Sequence, residues 1–161
     1  MAHHGYMTIK GTRQGLISAG CCAQDSIGGR SQIDHLDEIM MLSFQHDVSN
    51  PDNTRPPVHR PVIITKHIDK ATPLLAGALD YRETLECKIL FFRTSAAGKH
   101  EPYFRILLHG AMVIEQRLDM PDSLLMNDQQ PLEYLAIRYR DIAWQHLSAN
   151  TSAYAIWGQV E

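Results

Sequence analysis

Leu85-Glu86-Cys87-Lys88-Ile89-Leu90-Phe91 is the stretch whose reading decides the fold. Leu85, Cys87, Ile89 and Phe91 stand at alternate positions, and Glu86 and Lys88 fall between them. A period of two is that of a strand with one buried and one solvated face, because successive Cβ atoms point to opposite sides. The same period recurs on either side. Phe104, Ile106, Leu108, Met112 and Ile114 extend it downstream, interrupted by Gly110, and a Gly inside a strand pattern marks a bulge, a bend or a close backbone approach. Leu135, Ile137 and Tyr139 alternate, after which Ile142 and Trp144 take over in the opposite phase. A one-residue slip flips every side chain to the other face, so the reading predicts a bulge at Arg140-Asp141.

Upstream, Met40, Leu42 and Phe44 are expected on one face with Ser43 and Gln45 opposite. Val62 and Ile64, preceded by Val58 and followed by His67, add a strand, and Tyr6 to Lys10 make a short first one. One segment departs from this rhythm. Thr72-Pro73-Leu74-Leu75-Ala76-Gly77-Ala78-Leu79 has a capping residue, then proline where its missing N–H costs nothing. Leu75 and Leu79, with Leu74 and Ala78 beside them, predict a helix over about residues 72–82. Ser49–Pro61 carries Pro51, Pro56, Pro57 and Pro61, which remove ladder donors and exclude a strand interior. A loop that long in a compact domain is usually functional or poorly ordered. Asp119–Pro131 is a second loop. The expected fold is mainly β with one helix.

Composition narrows the function. The chain has 161 residues, 44% of them apolar and 20% charged, so a single domain with its own core fits without staples. A net charge of −3 without a basic block argues against nucleic acid or an anionic membrane as partner. Cys21, Cys22 and Cys87 do not make a disulfide framework, which points to a reducing compartment. The N-terminus lacks the charged and apolar regions of a signal peptide, and runs such as Ile106-Leu107-Leu108 are far too short to span a bilayer.

Catalytic patterns are sparse. The nine histidines, His3, His4, His35, His46, His59, His67, His100, His109 and His146, include no helical His-Glu-x-x-His and no His-x-His pair. Asp34-His35-Leu36-Asp37-Glu38 is rich in ligand types but reads as a solvated acidic turn, and adjacent Cys21 and Cys22 do not converge on a zinc as spaced cysteines do. No Gly-x-Ser-x-Gly elbow is present, and Gly98-Lys99-His100 lacks the rest of a phosphate loop. Phe91, Tyr103, Phe104, Trp144 and Trp157 suit a β core better than a sugar-stacking platform. No metal or cofactor site is therefore expected, and an assembly or binding role is favoured over catalysis. The competing readings are a metal-dependent or hydrolytic β-barrel enzyme using some of the histidines, and a carbohydrate-binding module.

Several segments, taken in order, resemble one family. They are Tyr6-Met7-Thr8-Ile9-Lys10-Gly11 with Gln14 to Gly20, then Gln24-Asp25-Ser26-Ile27-Gly28 and His35 to Met40. Ile68-Asp69-Lys70-Ala71-Thr72-Pro73-Leu74-Leu75 is the most specific, followed by Phe92-Arg93-Thr94-Ser95 with Gly98, and Ile137 to His146. Together they resemble the haemolysin-coregulated protein (Hcp) family, the tube protein of bacterial type VI secretion. The resemblance implies a β-barrel of two packed antiparallel sheets, one flanking helix and a long extended loop, in a single domain over 1–161 with no C-terminal effector extension. It implies no enzymatic activity. It also implies hexameric rings that stack into a conduit, export from the cytoplasm without a cleaved leader, and a spike protein, sheath, baseplate and small effectors as partners. Ser49–Pro61 corresponds to the family loop that reaches a neighbouring subunit, so Pro51, Asp52, Arg55, Pro57 and Arg60 are its expected interface residues. One departure stands out. Ala149-Asn150-Thr151-Ser152-Ala153 replaces a family Ala-Gly-Thr-Ser-Gly, which matters wherever a glycine needs positive φ.

Overall fold

The computed structural model describes residues 3–53 and 56–157. Alternating sequence becomes strand: β1 (Gly5–Gly11), β2 (Gly15–Leu16), β3 (Ile39–Gln45), β4 (Val48–Ser49), β5 (Val58–His59), β6 (Val62–His67), β7 (Leu85–Thr94), β8 (His100–Asp119), β9 (Leu132–Arg138), β10 (Asp141–His146) and β11 (Thr151–Ile156). A single-turn helix α1 (Gln24–Ile27) precedes β3, and α2 (Ala71–Asp80) joins β6 to β7. The main sheet runs β11-β10-β8-β7-β1-β3-β6-β9, and β9 pairs back onto β8. Strands β8, β7, β1, β3, β6 and β9 thus close a barrel, which leaves those six with no free edge. The second sheet is the β4–β5 ribbon. The mainly β fold with one substantial helix is as expected.

The barrel is filled from every wall. Met7 and Ile9 come from β1, Ile39 from β3, Val62 and Ile64 from β6, Leu85 and Ile89 from β7, Leu108 from β8, and Leu135 and Ile137 from β9. Two phases differ from the sequence reading. In β3 it is Ile39 and Met41 that point inward, while Leu42 is exposed; a register shift between Met41 and Ser43 then returns Phe44 toward the core. In β8 the inward set changes from Ile106 and Leu108 to Ala111 and Val113, leaving Ile114 exposed.

Gly110 causes the second change. Its φ is +58°, and a Cβ there would lie 2.8 Å from Arg140 Cβ, so only glycine permits the bend and the close approach together. The expected bulge at Arg140-Asp141 is instead a parting of strands. β9 pairs with Met112–Asp119 of β8, and β10 pairs with Phe104–His109 of the same strand. The two bends coincide and form a corner, where Arg140 N–H donates to His109 O at 3.0 Å.

Helix α2 begins slightly upstream of the expected bounds, and its cap differs. Asp69, not Thr72, caps the first turn: its Oδ1 accepts from Ala71 N–H at 2.9 Å, while Thr72 Oγ1 accepts from Asp69 N–H at 3.0 Å. The buried stripe is Ala71, Leu75 and Ala78, and Leu74 faces solvent. The helix ends in a Schellman turn, with Glu83 N–H donating to Ala78 O at 2.9 Å and Arg82 at φ +54°. Of the two replaced glycines, the first needed the left-handed region, which Asn150 now occupies at φ +59°.

Candidate functional site

Two anchors shape the outer surface. The first holds α2. Lys66 follows Val62 and Ile64 on the inward face of β6, and Glu133 precedes Leu135 and Ile137 on that of β9; both side chains are fully buried. Lys66 Nζ lies 2.6 Å from Glu133 Oε1 and 2.7 Å from Asp69 Oδ1, and donates to His67 O at 3.1 Å. Thr72 Oγ1 donates to Glu133 Oε1 at 2.6 Å, and Gln116 Nε2 donates to Glu133 Oε2 at 2.8 Å and to Thr72 O at 3.0 Å. Every member has a partner, as buried charge requires. Burial pushes the Asp69 carboxyl above its ordinary value, while Lys66 and the Ala71 N–H pull it down. The network ties the helix start to three strands.

The second anchor holds the base of the Ser49–Pro61 loop. That base is not coil throughout, since Val48 pairs with His59 and Ser49 with Val58. Tyr139, where the chain leaves β9, sends its hydroxyl between two imidazoles, 2.6 Å from His59 Nδ1 and 2.8 Å from His46 Nε2. Trp157 stands edge-on to Tyr139 at 5.0 Å between ring centroids, and Arg138 lies over the Trp157 ring. Burial lowers both imidazoles below their ordinary value; His59 lowers His46 further, against Asp47. Burial also raises the Tyr139 phenol far above its own.

Beyond these anchors the described surface exposes several large apolar side chains. The β8–β9 connection exposes Met120, Leu124, Leu125 and Met126, with Leu124 89% and Leu125 83% accessible. Among the described residues strand β11 pairs only with β10 and leaves its outer edge unpaired, and Tyr154 and Ile156 on it are exposed. At the loop base Val48 and Val58 are exposed as well.

The acidic turn around His35 differs from expectation. His35 is buried rather than solvated, stacked on Tyr6 at 3.7 Å between centroids, with Phe92 and His100 edge-on and Glu38 Oε1 3.3 Å from its Nδ1. Among the described residues no group of three His, Cys, Asp or Glu is placed to hold a metal ion. Cys21, Cys22 and Cys87 are buried free thiols, pushed up to about 12, 11 and 12 by desolvation, and therefore poor nucleophiles. Phe91, Phe104, Trp144 and Trp157 pack against the barrel core rather than forming a platform. Hollows of about 110 Å³ beside His4, Met41, Phe44, Phe91 and Tyr103, and of about 250 Å³ beside Gly110, Met112, Arg138, Tyr139 and Trp157, are small beside ligand pockets, which run to roughly 300–1,000 Å³.

The barrel with one flanking helix and a strapped loop was compared with known proteins. A family model described as "Type VI secretion system effector, Hcp" matches residues 6–146. The chain belongs to the Hcp family. A protein named "Major exported protein" from Pseudomonas aeruginosa is 40% identical over 171 residues, covering 98% of this chain and 96% of that one. A solved structure titled as the crystal structure of an Hcp protein overlays with a TM-score of 0.91 at 32% identity, covering 99% of this chain and all of its own. A secreted Hcp protein of Pseudomonas aeruginosa overlays at 0.87 with 39% identity, covering 98% and 100% of the two chains.

Of the interface residues expected for an Hcp loop, Pro51, Asp52, Pro57 and Arg60 are all exposed around its tip and rim. Arg60 is held at the rim, its N–H donating to Asp47 O at 3.0 Å and its Nε 3.9 Å from Asp47 Oδ2. Arg55 lies outside the described residues. Sequence reasoning missed both anchors. A signal existed for the first, since Lys66 and Glu133 each continue an inward phase. None existed for the second, whose members are 13, 80 and 93 positions apart in the chain (59 − 46, 139 − 59, 139 − 46).

Proposed function

We propose that this chain is a structural subunit of the type VI secretion inner tube. Copies join edge to edge into rings, hexameric as the family resemblance implies, and the rings stack into an exported conduit with room for small effectors. Residues 1–161 act in this as one domain. The rings meet the spike protein, sheath and baseplate, and leave the cytoplasm with the tube. The observation that carries the reading is Hcp family membership over nearly the whole barrel, with a TM-score of 0.91 to an Hcp structure. The names of the relatives, one "Major exported protein" and one a secreted protein, support export.

The exposed surface is consistent with such a subunit. An open β11 edge and apolar Met120, Leu124 and Leu125 are liabilities in a monomer and assets in a ring, where neighbours cover them. Pro51, Asp52, Pro57 and Arg60 are proposed to make the loop's contacts with the adjacent subunit or ring, joined by Arg55 from outside the described residues. Prolines that hold the loop extended before docking reduce the entropy lost when it docks. Size-exclusion chromatography with light scattering, followed by negative-stain microscopy, tests the reading. Closed rings several times the 18.2 kDa chain mass are expected; a monomer persisting at high concentration overturns it.

A further inference from the structure

We propose that Tyr139, His46 and His59 form a proton-gated clasp, in which a second proton opens the base of the Ser49–Pro61 loop from the barrel. The inference goes beyond the tube reading and does not depend on it, because all three groups belong to one chain.

A phenol has one proton to donate and lone pairs to accept with. With both imidazoles neutral, the arrangement that also satisfies the hydroxyl proton has one ring presenting N–H to Tyr139 Oη and the other presenting a bare nitrogen to its O–H. The distances of 2.6 and 2.8 Å place both ring nitrogens within hydrogen-bond reach of that one oxygen. A first added proton goes to the far nitrogen of the imidazole that is already donating, and no bond in the clasp breaks. A second must go to the nitrogen receiving the Tyr139 proton. Both rings then aim N–H at one oxygen, the hydroxyl proton loses its acceptor, and two cations face each other across a single atom.

The surroundings do not relieve that state. Asp47 is the one nearby carboxylate that favours charge on His46, and it is shared with Arg60 at 3.9 Å. Arg138 stands over the Trp157 ring and adds positive charge. Arg140 is paired with the buried Asp141, Nε to Oδ2 at 3.1 Å. Trp157 walls the cluster, edge-on to Tyr139 and 5.9 Å from His59 between centroids. Burial already disfavours charge on both imidazoles.

The clasp is positioned to matter for the loop. His46 follows the last residue of β3, and His59 lies on β5, so the two imidazoles flank the loop's entry and exit. Beside them, the Val48–His59 pairing and the Arg60 N–H to Asp47 O bond are the backbone ties whose loss marks opening.

Amide hydrogen exchange read at Arg60, relative to Ile64 within β6, provides the test. Between pH 7.5 and pH 5 the relative protection of Arg60 is expected to fall at least tenfold. The double variant His46→Gln and His59→Asn keeps neutral donors and acceptors at the same reach but cannot titrate, and it should hold that protection constant across the range. Tyr139→Phe should show low protection already at pH 7.5. Constant protection in the native chain overturns the clasp. So does an equal fall in the double variant, which would place the titration on other groups.

Discussion

The two anchors hold neighbouring parts of one barrel by opposite chemistry. Helix α2 is tied by full charges, Lys66 between Asp69 and Glu133, with each side chain at most 3% accessible and each charged group paired. The Ser49–Pro61 loop is tied by neutral groups around one buried hydroxyl, with imidazole partners that burial lowers below their ordinary value. The helix anchor has no alternative arrangement: removing one charge strands another in the core. The loop anchor has two, because its partners can change protonation without leaving the fold. Rigid attachment and releasable attachment are thus written in different residue types.

The sharpest way to break this contrast is to remove the cation from the helix anchor. Lys66→Met leaves Asp69 and Glu133 buried together without compensation, and about 3–5 kcal/mol of stability should be lost in urea unfolding. If Tyr139→Phe costs as much, the distinction between the anchors fails. Next comes the corner that places Tyr139. Gly110→Ala forces a Cβ against Arg140 at positive φ and should cost about 1–3 kcal/mol, read as a lower midpoint with unchanged slope. Tyr139→Phe itself should cost about 1–2 kcal/mol, since one hydroxyl bridging a buried and a half-buried imidazole is lost.

The pH dependence is smaller and has a defined sign. Burial lowers His46 and His59, so below about 6.5 the unfolded chain takes up protons that the folded one refuses. Their contribution is therefore full above that value and declines as pH falls toward the lowered folded values. Thermal melts from pH 7.5 to 5 should show a smaller decline in the doubly substituted His46→Gln, His59→Asn protein than in the native chain, the remainder including His67, which burial, Arg30 and Lys66 also lower. Smallest of all, Leu124→Ser with Leu125→Ser should change barrel stability by under about 0.5 kcal/mol, because both are solvent-facing. The same pair should weaken ring association on a sizing column. An unchanged elution profile would remove this segment from the proposed assembly surface.

How much of this was readable beforehand depends on range. The strand alternation in Leu85–Phe91 and Leu135–Tyr139 carried through because side-chain direction is a local consequence of backbone pleat. It failed at Met40 and Met112, where a bulge or positive φ advances the phase, and a pattern of apolar letters cannot show which of two adjacent methionines turns inward. Thr72 was misread as the cap because Asp69, three residues earlier, competes for the same amides through the same chemistry. Among the candidate interface residues, exposure of Pro51, Asp52, Pro57 and Arg60 was legible from proline and charge. The neutral bridge beneath them was not.

By itself the sequence determined a mainly β chain, one helix, a proline-bearing loop and, through ordered segments, a likeness to Hcp. These follow from periodicity, turn chemistry and residue order, all of which act over a few positions at a time. Only the tertiary structure decided that Lys66 meets Glu133, that Gly110 meets Arg140, and that two of nine histidines converge on Tyr139. Such meetings depend on barrel closure, where a single register fixes which distant residues share a few ångströms.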